Sequence, residues 1–553
     1  MDLYSQALQY AQGAYQYQKR RHDQWRENNN LYRDVVLTNR LTQRQTVNIP
    51  IMKETIGTVL SKTDEFPEVE FEALVQDPVQ EVEVNEMWRD DVRLEKLEAK
   101  DMVDKKQCYL FGRSFIKLNV SEGRIRFEVL HPMDVQIGEF TDPADVEGSA
   151  AYIAHTNIIR PLSSLKGNPL YDQKLLTELE NDFVGERGEV LSQENQELLR
   201  KKNEFMADLG YQEVDAPQVG EIYVNVTEHY LRVWDEDEER MCIYVVNTGQ
   251  GVSDEKHLGT QKLEDLLGIN FFPIETWAMD PDRHDIWSDG IADTVRQPNK
   301  VLNTWFSQLV ENRTLRNFGM NYYDISASEE FRPQSYEPRP WGWYGVPGNP
   351  KDVVQRVDVP DLSDTMGEME YVTRVIERST ASTATEKGVS EKGQITLGEI
   401  ELMAANANER ITSVAKYYRP ARERLAEKWF KLMVGAADLI EPRELFKKGA
   451  SGRYYSKVVS PKEWSKDMIA NAVSTSEREQ KSLENVQKLQ AVAAMFPQNL
   501  AMKKVFQGRA LDMVDLTPEE KEEILQSEEM MQGMMPQPMQ PNAPLSLGQP
   551  QNA

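Results

Sequence analysis

Residues 288–315 read SDGIADTVRQPNKVLNTWFSQLVENRTL, a pattern that predicts one long helix. Its apolar side chains recur every three or four positions and therefore share one helical face. They are Ile291, Val295, Leu302, Trp305 or Phe306, and Leu309. Pro298 stands inside this pattern, and we expect it to kink the helix because proline lacks the backbone N–H and crowds the preceding turn.

The order of segments after this helix is distinctive. Residues 317–360 lose the helical period and are rich in Pro, Gly and aromatic side chains, most densely in RPWGWYGVPGNP at 339–350. A second helix is predicted over 361–378, where the apolar positions are Leu362, Met366, Met369, Val372 and Ile376. The polar stretch STASTATEKGVSEKGQITLGE at 379–399 follows and predicts a flexible loop, with Gly388 and Gly393 as hinges.

The chain before residue 288 mixes helices and strands. Helices are predicted over 2–40 and 45–62, and a third, long helix after Pro78. The apolar face of that third helix includes Val84, Met87, Trp88, Val92, Leu97 and Val103, and Gly112 is placed to cap it. Strands are predicted around Val69 and Phe71, on both sides of a turn at Ser121–Gly123, over 150–159, and in a hairpin whose loop is the acidic run Asp235–Glu239. Residues 172–210 predict an inserted helical excursion.

The chain after residue 395 is mainly helical. Thr396 and Glu399 have capping-box spacing at the start of a long helix that runs to about 437 and contains Pro420. A strand pair is predicted within 452–475, and helix over 476–533. The remaining residues are rich in Met, Gln and Pro and predict a disordered tail.

Composition limits the classes of function. A chain of 553 residues suggests two to four structural units. Its 91 acidic residues against 64 Lys and Arg give a net charge of −27, which disfavours a tight sequence-specific DNA-binding protein but leaves local contact with nucleic acid open. Cys108 and Cys242 lie in apolar stretches and are expected to be buried thiols. No stretch has the roughly 20 apolar residues of a membrane span and no apolar leader is present, so we expect a soluble intracellular protein.

The motifs do not predict an enzyme, a cofactor or a metal site. GxxxxGK[ST] is missing, and NTGQGVSD at 247–254 is better explained as a turn than as a dinucleotide site. The carboxylates and histidine of MDPDRHD at 279–285 are better explained as a loop capped by Asp than as a catalytic or metal cluster. The aromatic residues of RPWGWYG favour contact with a protein partner over a stacking platform for single strands.

Several segments, taken in order, resemble the portal (head-to-tail connector) proteins of tailed bacteriophages, most closely those of short-tailed phages. The first is VNIPIMKETIGTVLSKTDEFPEVEFEA at 47–73, a helix followed by a strand that a Pro marks. The second is KDMVDKKQCYLFGRSFIKLNV at 100–120, a helix–Gly–strand unit. FEVLHPMDVQIGEFTDPADVEGSAAYIAHT at 127–156 is a strand, Pro-Xaa-Asp and strand run. NFFPIETWAMDPDRHDIWSDGIADTVRQPNKVLNTWFSQLVENRT at 270–314 enters the long helix.

The resemblance implies an α+β portal fold. It assigns the wing to 1–287 and 399–475, with the long kinked helix in the second part, and the stem helices to 288–316 and 361–378. It assigns the clip to 317–360, the tunnel loop to 379–398, the crown to 476–533 and a disordered tail to 534–553. It further implies a ring of twelve subunits at one capsid vertex of the virion, assembled in the host cytoplasm, with a channel for double-stranded DNA. The implied partners are the terminase large subunit, a tail adaptor protein and the major capsid protein, with no membrane, catalytic residue, metal or cofactor.

Two groups of residues are the predicted sites under this resemblance. Arg339, Trp341, Trp343 and Tyr344 of the clip would contact the terminase and the adaptor. Lys387 and Lys392 of the tunnel loop would meet DNA phosphates, with Gly388 and Gly393 providing freedom; the simpler interpretation of both lysines is solvation.

Two other classes of protein remain as alternatives. One is another virion structural protein, a tail or scaffold component without a DNA channel. The other is a hydrolase with paired carboxylates, whose sign would be a pocket with two facing acids of raised pKa.

Overall fold

The computed structural model describes most of the first 317 residues and parts of the remainder. The described residues are 2–34, 47–64, 66–73, 78–143, 145–166, 171–184, 223–250, 255–282, 284–317, 321–323, 354–356, 361–362, 364–380, 397–448, 454–464 and 468–473. Of this structure, 54% is helix and 27% is strand, which confirms the α+β class. None of the described helices has the length and apolarity needed to cross a membrane.

Eleven helices lie within the described residues. They are α1 (Leu3–Arg33), α2 (Ile51–Lys62), α3 (Pro78–Leu94), α4 (Leu97–Phe111), α5 (Val146–Ser149), α6 (Leu162–Leu165), α7 (Gln173–Val184), α8 (Leu263–Leu267), α9 (Ile291–Asn317), α10 (Thr365–Thr380) and α11 (Leu397–Gly435). Short 3₁₀ turns lie at Pro132–Asp134 and Pro461–Glu463.

Fourteen strands of the described residues form five antiparallel sheets. They are β1 (Glu68–Ala73), β2 (Arg113–Ser121), β3 (Arg124–Leu130), β4 (Val135–Gly138), β5 (Tyr152–Pro161), β6 (Tyr223–Asp235), β7 (Arg240–Gln250), β8 (Glu255–Lys262), β9 (Ile274–Ala278), β10 (Asn321–Tyr323), β11 (Val354–Arg356), β12 (Arg443–Lys448), β13 (Tyr454–Val459) and β14 (Met468–Val473). The largest sheet has the order β4-β5-β6-β7-β8, and a three-stranded sheet has the order β3-β2-β9. The pairs β1-β14, β10-β11 and β12-β13 complete the set.

The chain divides into two compact units. One comprises Met1–Glu441 and Pro461–Val473, and the other Pro442–Ser460 and Ser474–Ala553. In the described part of the second unit, β12 and β13 form an antiparallel hairpin in which Arg443 is opposite Val459. All other elements above belong to the first unit.

Helices cover both faces of the five-stranded sheet. Ala7 and Ala14 of α1 pack with Leu231 of β6. Val224 and Val226 of the same strand pack with α6 and α7 instead. Successive residues of a strand point to opposite faces, so Leu231 faces α1 while Val224 and Val226 face α6 and α7. Both faces of β6 are therefore buried.

A cluster of aromatic rings joins the small strand pair to the long helix α11. Trp88 and Trp429 have ring centroids 5.1 Å apart in an edge-to-face arrangement, and Phe71 of β1 lies 5.6 Å from Trp429. Trp429 Nε1 donates to the buried Asp91 carboxylate at 2.9 Å. Large rings with satisfied polar atoms therefore anchor the second half of α11 in the core.

Several local predictions are confirmed. Gly112 caps α4 with a φ of +85°, and the turn at Ser121–Gly123 joins β2 to β3. The acidic run after Asp235 joins β6 to β7. Both cysteines are buried.

Four local predictions are wrong. The third helix is two helices, α3 and α4, because Lys96 adopts a left-handed φ of +52°, and Val103 is consequently 47% exposed. The helix predicted from 45 begins at Ile51, after Pro50. The strands within 452–475 do not pair with each other: β13 pairs with β12 and β14 pairs with β1. The first helix ends at Arg33, where Asp34 adopts a left-handed φ of +61°.

Candidate functional site: the helical arm and its base

A pair of helices extends from the core of the first unit. Near the start of α9, Ile291, Val295 and Leu302 are buried, but no residue of α9 beyond Leu302 is buried. Helix α9 also packs against α10. We call α9, the β10-β11 ladder and α10 the helical arm.

The two helices of the arm are antiparallel and meet at the end far from the core. Arg316, in the last turn of α9, forms an ion pair with Asp361 just before α10, with 2.7 Å between Nη1 and Oδ1. Between the helices, Tyr323 is the register partner of Val354 in the β10-β11 ladder. Tyr323 and Val354, which stand on either side of 324–353 in the sequence, therefore lie on adjacent strands.

One face of α10 packs in the arm and the opposite face is exposed. Ile376 is 1% exposed, whereas Tyr371 is 67% and Val375 38% exposed. The two exposed side chains are four residues apart and so lie together on the helix surface. Met366 was predicted on the packed face, but it is 51% exposed.

The base of the arm is held by a capped helix start. Asp293 Oδ2 accepts a hydrogen bond from the Gly290 N–H at 2.9 Å, and its Oδ1 accepts from Asn28 Nδ2 at 3.0 Å. Asn28, fully buried in α1, also donates to the Leu110 carbonyl of α4 at 3.1 Å. One amide therefore ties α1, α4 and α9 together.

Ion pairs from α1 to residues just before and within α9 also hold the base of the arm. Arg21 bridges Asp285 at 2.5 Å and Asp289 at 2.7 Å, both just before α9. Glu27 bridges Arg296 at 3.5 Å and also contacts Lys300. Burial and the hydrogen bond to Asp285 raise the pKa of Tyr17 to about 12, so its hydroxyl stays protonated and donates to that carboxylate.

The chain before α2 forms the other side of the base. Asn303 of α9 accepts from the Ile49 N–H at 2.8 Å and donates to Asn48 Oδ1 at 2.9 Å. The Val47 N–H donates to Ser307 Oγ at 3.0 Å. Residues 47–49 thus run beside about one turn of α9, and the N–H groups of Val47 and Ile49 are satisfied by side chains of that helix.

Two glycines allow the close approach of α4 and the start of α9. A Cβ on Gly112 would lie 1.7 Å from the Ser288 carbonyl oxygen, and one on Gly290 would lie 2.5 Å from the Tyr109 carbonyl oxygen. The Tyr109 carbonyl cannot move without shifting α4, and the Ser288 carbonyl cannot move without shifting the backbone that leads into α9. The arm is therefore fixed to the core by backbone contact as well as by side chains.

Replacing Gly112 by Ala is expected to destabilise the protein by about 3 kcal/mol or more, because the new Cβ meets backbone and the left-handed φ disfavours L residues. Urea denaturation measures this free energy. The matched control is Gly13→Ala in α1, where nothing lies within 4 Å of a Cβ. That change should stabilise the helix by about 0.5–1 kcal/mol. Equal effects of the two substitutions would contradict the packing argument.

A second buried polar cluster joins α4 to α11. Arg422 Nε donates to Asp101 Oδ1 at 2.7 Å, and its Nη2 contacts Asp104. Tyr418 donates to Asp101 at 2.6 Å, and Trp277 donates to Asp104 at 2.7 Å. Burial raises the pKa of Asp104, although the Arg422 charge opposes that shift. The Arg422 guanidinium contacts both carboxylates, and Tyr418 and Trp277 each donate to one of them. We therefore explain the Asp101–Asp104 pair by a structural role and not by hydrolysis.

A third cluster lies between the two larger sheets. Lys117 of β2 contacts Glu228 of β6, and its Nζ lies 3.3 Å from His155 Nδ1. Burial alone would raise the pKa of Glu228, but the Lys117 charge and hydrogen bonds outweigh it and lower the value to about 2. This carboxylate is ionised and fully engaged at neutral pH.

The candidate metal cluster of the described residues is already occupied by a cation from the chain. Oxygen and sulfur atoms of Asp235, Glu238 and Cys242 converge within 4.8 Å. Lys262 Nζ lies 3.3 Å from Asp235 and contacts Glu238 as well. An ammonium therefore supplies the positive charge that a metal ion would bring.

A cavity of about 640 Å³ lies between α1 and the five-stranded sheet. His229 lines it, but Tyr152 lies 2.7 Å from its Nδ1 and Thr248 lies 3.0 Å from its Nε2. Burial lowers the pKa of His229 to about 4, so the ring is neutral at pH 7. With both nitrogens engaged, it has no free position for general-base catalysis.

The predicted site residues lie outside the described residues. This holds for Arg339, Trp341, Trp343 and Tyr344, and for Lys387, Gly388, Lys392 and Gly393. The structure describes the chain on either side of each group. The clip residues fall between the paired strands β10 and β11, and the loop residues fall between α10 and α11.

Sequence reasoning missed the residues that hold the arm. Asn28, Glu27 and Asn303 belong to no motif, and their partners Asp293, Arg296 and Ile49 lie 254 to 269 residues away. The exposed pair Tyr371 and Val375 could have been found, since both lie outside the predicted apolar face and are four residues apart.

No known protein-family model matches the chain, and no curated protein matches it.

Proposed function

We propose that this chain is the portal subunit of a tailed bacteriophage, which forms a twelve-membered ring at one capsid vertex. The ring would admit double-stranded DNA during packaging by the terminase, and would release it through tail adaptor proteins afterwards. The observation that carries this proposal is the helical arm: two antiparallel helices, the first rooted in the α/β core, with the β10-β11 ladder between them in the chain.

Further support comes from the agreement of this arm with the order of segments in the sequence. Helix α9 (Ile291–Asn317) corresponds to the first proposed stem helix, and α10 (Thr365–Thr380) to the second. The ladder β10-β11 lies within the proposed clip, near its two ends. The long helix α11 contains Pro420 and follows the proposed tunnel loop.

Charge supplies a physical mechanism for the proposed channel. A conduit must let DNA slide without gripping it, and a chain of net charge −27 repels phosphates over about one Debye length. Sparse cations limit that repulsion. In this proposal Lys387 and Lys392 of the tunnel loop contribute such cations, and Arg339, Trp341, Trp343 and Tyr344 anchor the terminase and the adaptor.

Images of the purified protein test the proposal directly. Negative-stain electron microscopy should show closed rings with an axial hole, and native mass spectrometry should give twelve times the chain mass of 63.7 kDa. A monomer or an open filament would instead favour a tail or scaffold component. A small oligomer without a hole would also contradict a channel.

The exposed apolar pair on α10 is expected to lie between neighbouring arms of the ring. Changing Tyr371 and Val375 together to Glu would place two charges in that contact, so the double variant should run as a monomer in size-exclusion chromatography with light scattering. The matched control is Ser164→Glu with Thr177→Glu, which adds the same charge at exposed positions away from the arm. Rings that survive the α10 change would remove the arm from the subunit interface.

A further inference from the structure

The hairpin formed by β6 and β7 carries an exposed apolar pair at its tip. Trp234 and Met241 are register partners on these adjacent strands, so their side chains lie side by side on one face of the five-stranded sheet. Trp234 is 56% exposed and Met241 is 45% exposed. Both residue types are enriched in the contact surfaces of proteins. We call Trp234, Met241 and the turn between them the hairpin tip.

The turn beside this apolar pair is strongly acidic. Two of its five carboxylates pair with Lys262. The other three, Glu236, Asp237 and Glu239, are exposed and form no ion pair within the described residues. An apolar pair next to three such carboxylates is complementary to a surface that combines cations with an aromatic side chain. Contact between two hairpin tips is disfavoured, because their like charges repel.

Helix α1 presents a surface of the complementary kind. Lys19 and Arg20 belong to the only run of three consecutive Lys or Arg in the part of the chain that the structure describes. The third cation of the run pairs with carboxylates just before α9, whereas Lys19 and Arg20 are exposed and form no ion pair with described residues. No Asp or Glu occurs in α1 before Asp23, which pairs with a later arginine of the helix. Tyr15, one turn before Lys19, is 40% exposed. We call Tyr15, Lys19 and Arg20 the α1 surface.

The hairpin tip and the α1 surface lie on opposite sides of the five-stranded sheet. Leu231 of β6 packs with α1, and Val233 packs against the same cluster. Trp234 is the next residue of the strand, so its side chain leaves the other face of the sheet. A contact between the tip of one copy and the α1 surface of the next is therefore head-to-tail. Contacts of this type generate rings when the rotation between copies closes.

We propose that the hairpin tip docks onto the α1 surface of a neighbouring copy of this chain. Trp234 and Met241 pack against Tyr15, and the carboxylates of the turn pair with Lys19 and Arg20. The choice of a second copy over another protein rests on the proposed function, in which neighbouring subunits must contact one another. Both surfaces belong to the first unit of the chain, so the contact joins first units.

Charge reversal on either surface tests the contact in the full-length protein. Glu236→Lys with Asp237→Lys makes the tip basic, and Lys19→Glu with Arg20→Glu makes the α1 surface acidic. Each double variant brings like charges together in the contact. At equal protein concentration, sedimentation velocity should therefore show the assembled fraction of each variant reduced about tenfold or more.

Mixing the two double variants tests whether the surfaces are partners. The basic tip of one variant then meets the acidic α1 surface of the other, and the two unmodified surfaces also match. An equimolar mixture should assemble as the unchanged protein does, with the variants alternating, which a ring with an even number of subunits permits. If both variants are folded by circular dichroism and their mixture does not assemble, the proposal is overturned. Full assembly of either variant alone would also overturn it, and so would an unchanged protein that does not self-associate, which would assign the tip to a different partner.

A matched control separates the contact from net charge. Glu98→Lys with Glu178→Lys changes the net charge as much as the tip variant does, at exposed positions of α4 and α7. This control should assemble like the unchanged protein, and a loss equal to that of the tip variant would contradict the contact. Trp234→Ala changes no charge and should reduce assembly about tenfold, because a tryptophan anchor carries much of the energy of an interface. Unchanged assembly of Trp234→Ala would remove the apolar pair from the contact.

Electron micrographs of the same samples keep this inference apart from the proposed function. Rings that survive both charge reversals would defeat the tip contact alone. A mixture that recovers only filaments, or particles without an axial hole, would defeat the portal proposal and leave the contact between copies in place.

Discussion

Lowering the pH from 7 to 5 is expected to reduce the free energy of unfolding by about 5 kcal/mol. Three histidines cause this loss; His155 and His229 are buried, and His131 is partly buried. Burial lowers the pKa of His131 and of His229 to about 4 each; burial and the Lys117 charge lower that of His155 to about 3. An unfolded histidine titrates near 6.5, so below that pH the unfolded chain binds more protons and gains stability relative to the folded chain.

Hydrogen bonds show why these rings stay neutral. His131 Nδ1 accepts from the Met133 N–H at 3.2 Å, and His155 Nδ1 faces the Lys117 ammonium, which can only donate. The Thr248 hydroxyl donates to Glu255, so its oxygen accepts from His229 Nε2, and Nδ1 accepts from Tyr152. A second proton on any of these rings breaks an existing hydrogen bond.

Glu228 extends the loss to lower pH. Its folded pKa of about 2 lies below the ordinary value of 4.5. The stability it contributes is therefore present above pH 4.5 and is lost as the pH falls towards 2.

Urea denaturation at fixed protein concentration, repeated at each pH, measures the acid effect. His155→Gln keeps an acceptor for Lys117 but cannot take up a proton, so the variant should lose about 2 kcal/mol less between pH 7 and 5. The control is His284→Gln, an exposed residue that should leave the pH dependence unchanged. A flat profile between pH 7 and 5 would show that the histidines do not titrate in this way.

Arg422→Met is expected to destabilise the protein by about 3–5 kcal/mol, because it leaves two buried carboxylates without their shared cation. Asp101 keeps Lys105, whose Nζ lies 2.9 Å away, and the Tyr418 hydroxyl. Asp104 keeps only the Trp277 N–H as a described donor. The unpaired charge of Asp104 is therefore the main cost.

The same variant should respond to pH in a specific direction. The pKa of Asp104 is already raised by burial, and loss of the guanidinium raises it further. Protonation then removes the unpaired charge, so the deficit of the variant against the unchanged protein should be smaller at pH 5 than at pH 7.

Two comparisons isolate the electrostatic part of the Arg422 effect. Adding Asp104→Asn to Arg422→Met should restore part of the stability, because the amide carries no charge. Arg93→Met removes an arginine that is 78% exposed and pairs with Asp90, and it should change stability by no more than about 0.5 kcal/mol. A double variant no more stable than Arg422→Met would assign the loss to packing.

Local chemistry made parts of the fold predictable. Gly112 ends a helix because glycine accepts a left-handed φ without strain, and the turn at Ser121–Gly123 follows from the same property. Periodicity located α9 and α10 because an amphipathic helix must repeat its apolar side chains every three or four residues. The same rule failed across α3 and α4, since the period continues through Lys96 while the backbone does not.

Other features exist only because distant segments meet. Val69 on β1 pairs with Ala472 on β14, about 400 residues away. The sequence of neither six-residue strand indicates that it pairs with the other. The polar partners at the base of the arm, such as Asn28 with Asp293, are likewise chosen by burial rather than by motif.

The sequence by itself determined where the longer helices and several of the strands lie, because those depend on side-chain spacing and on glycine and proline within a few residues. It also set the order of helix, irregular module and helix that led to the portal proposal. Only the tertiary structure decided which strands pair, which charges are buried together, and which face of α10 stays exposed. Those outcomes depend on the free energy of desolvation and packing between residues far apart in the chain. No local sequence pattern contains that free energy.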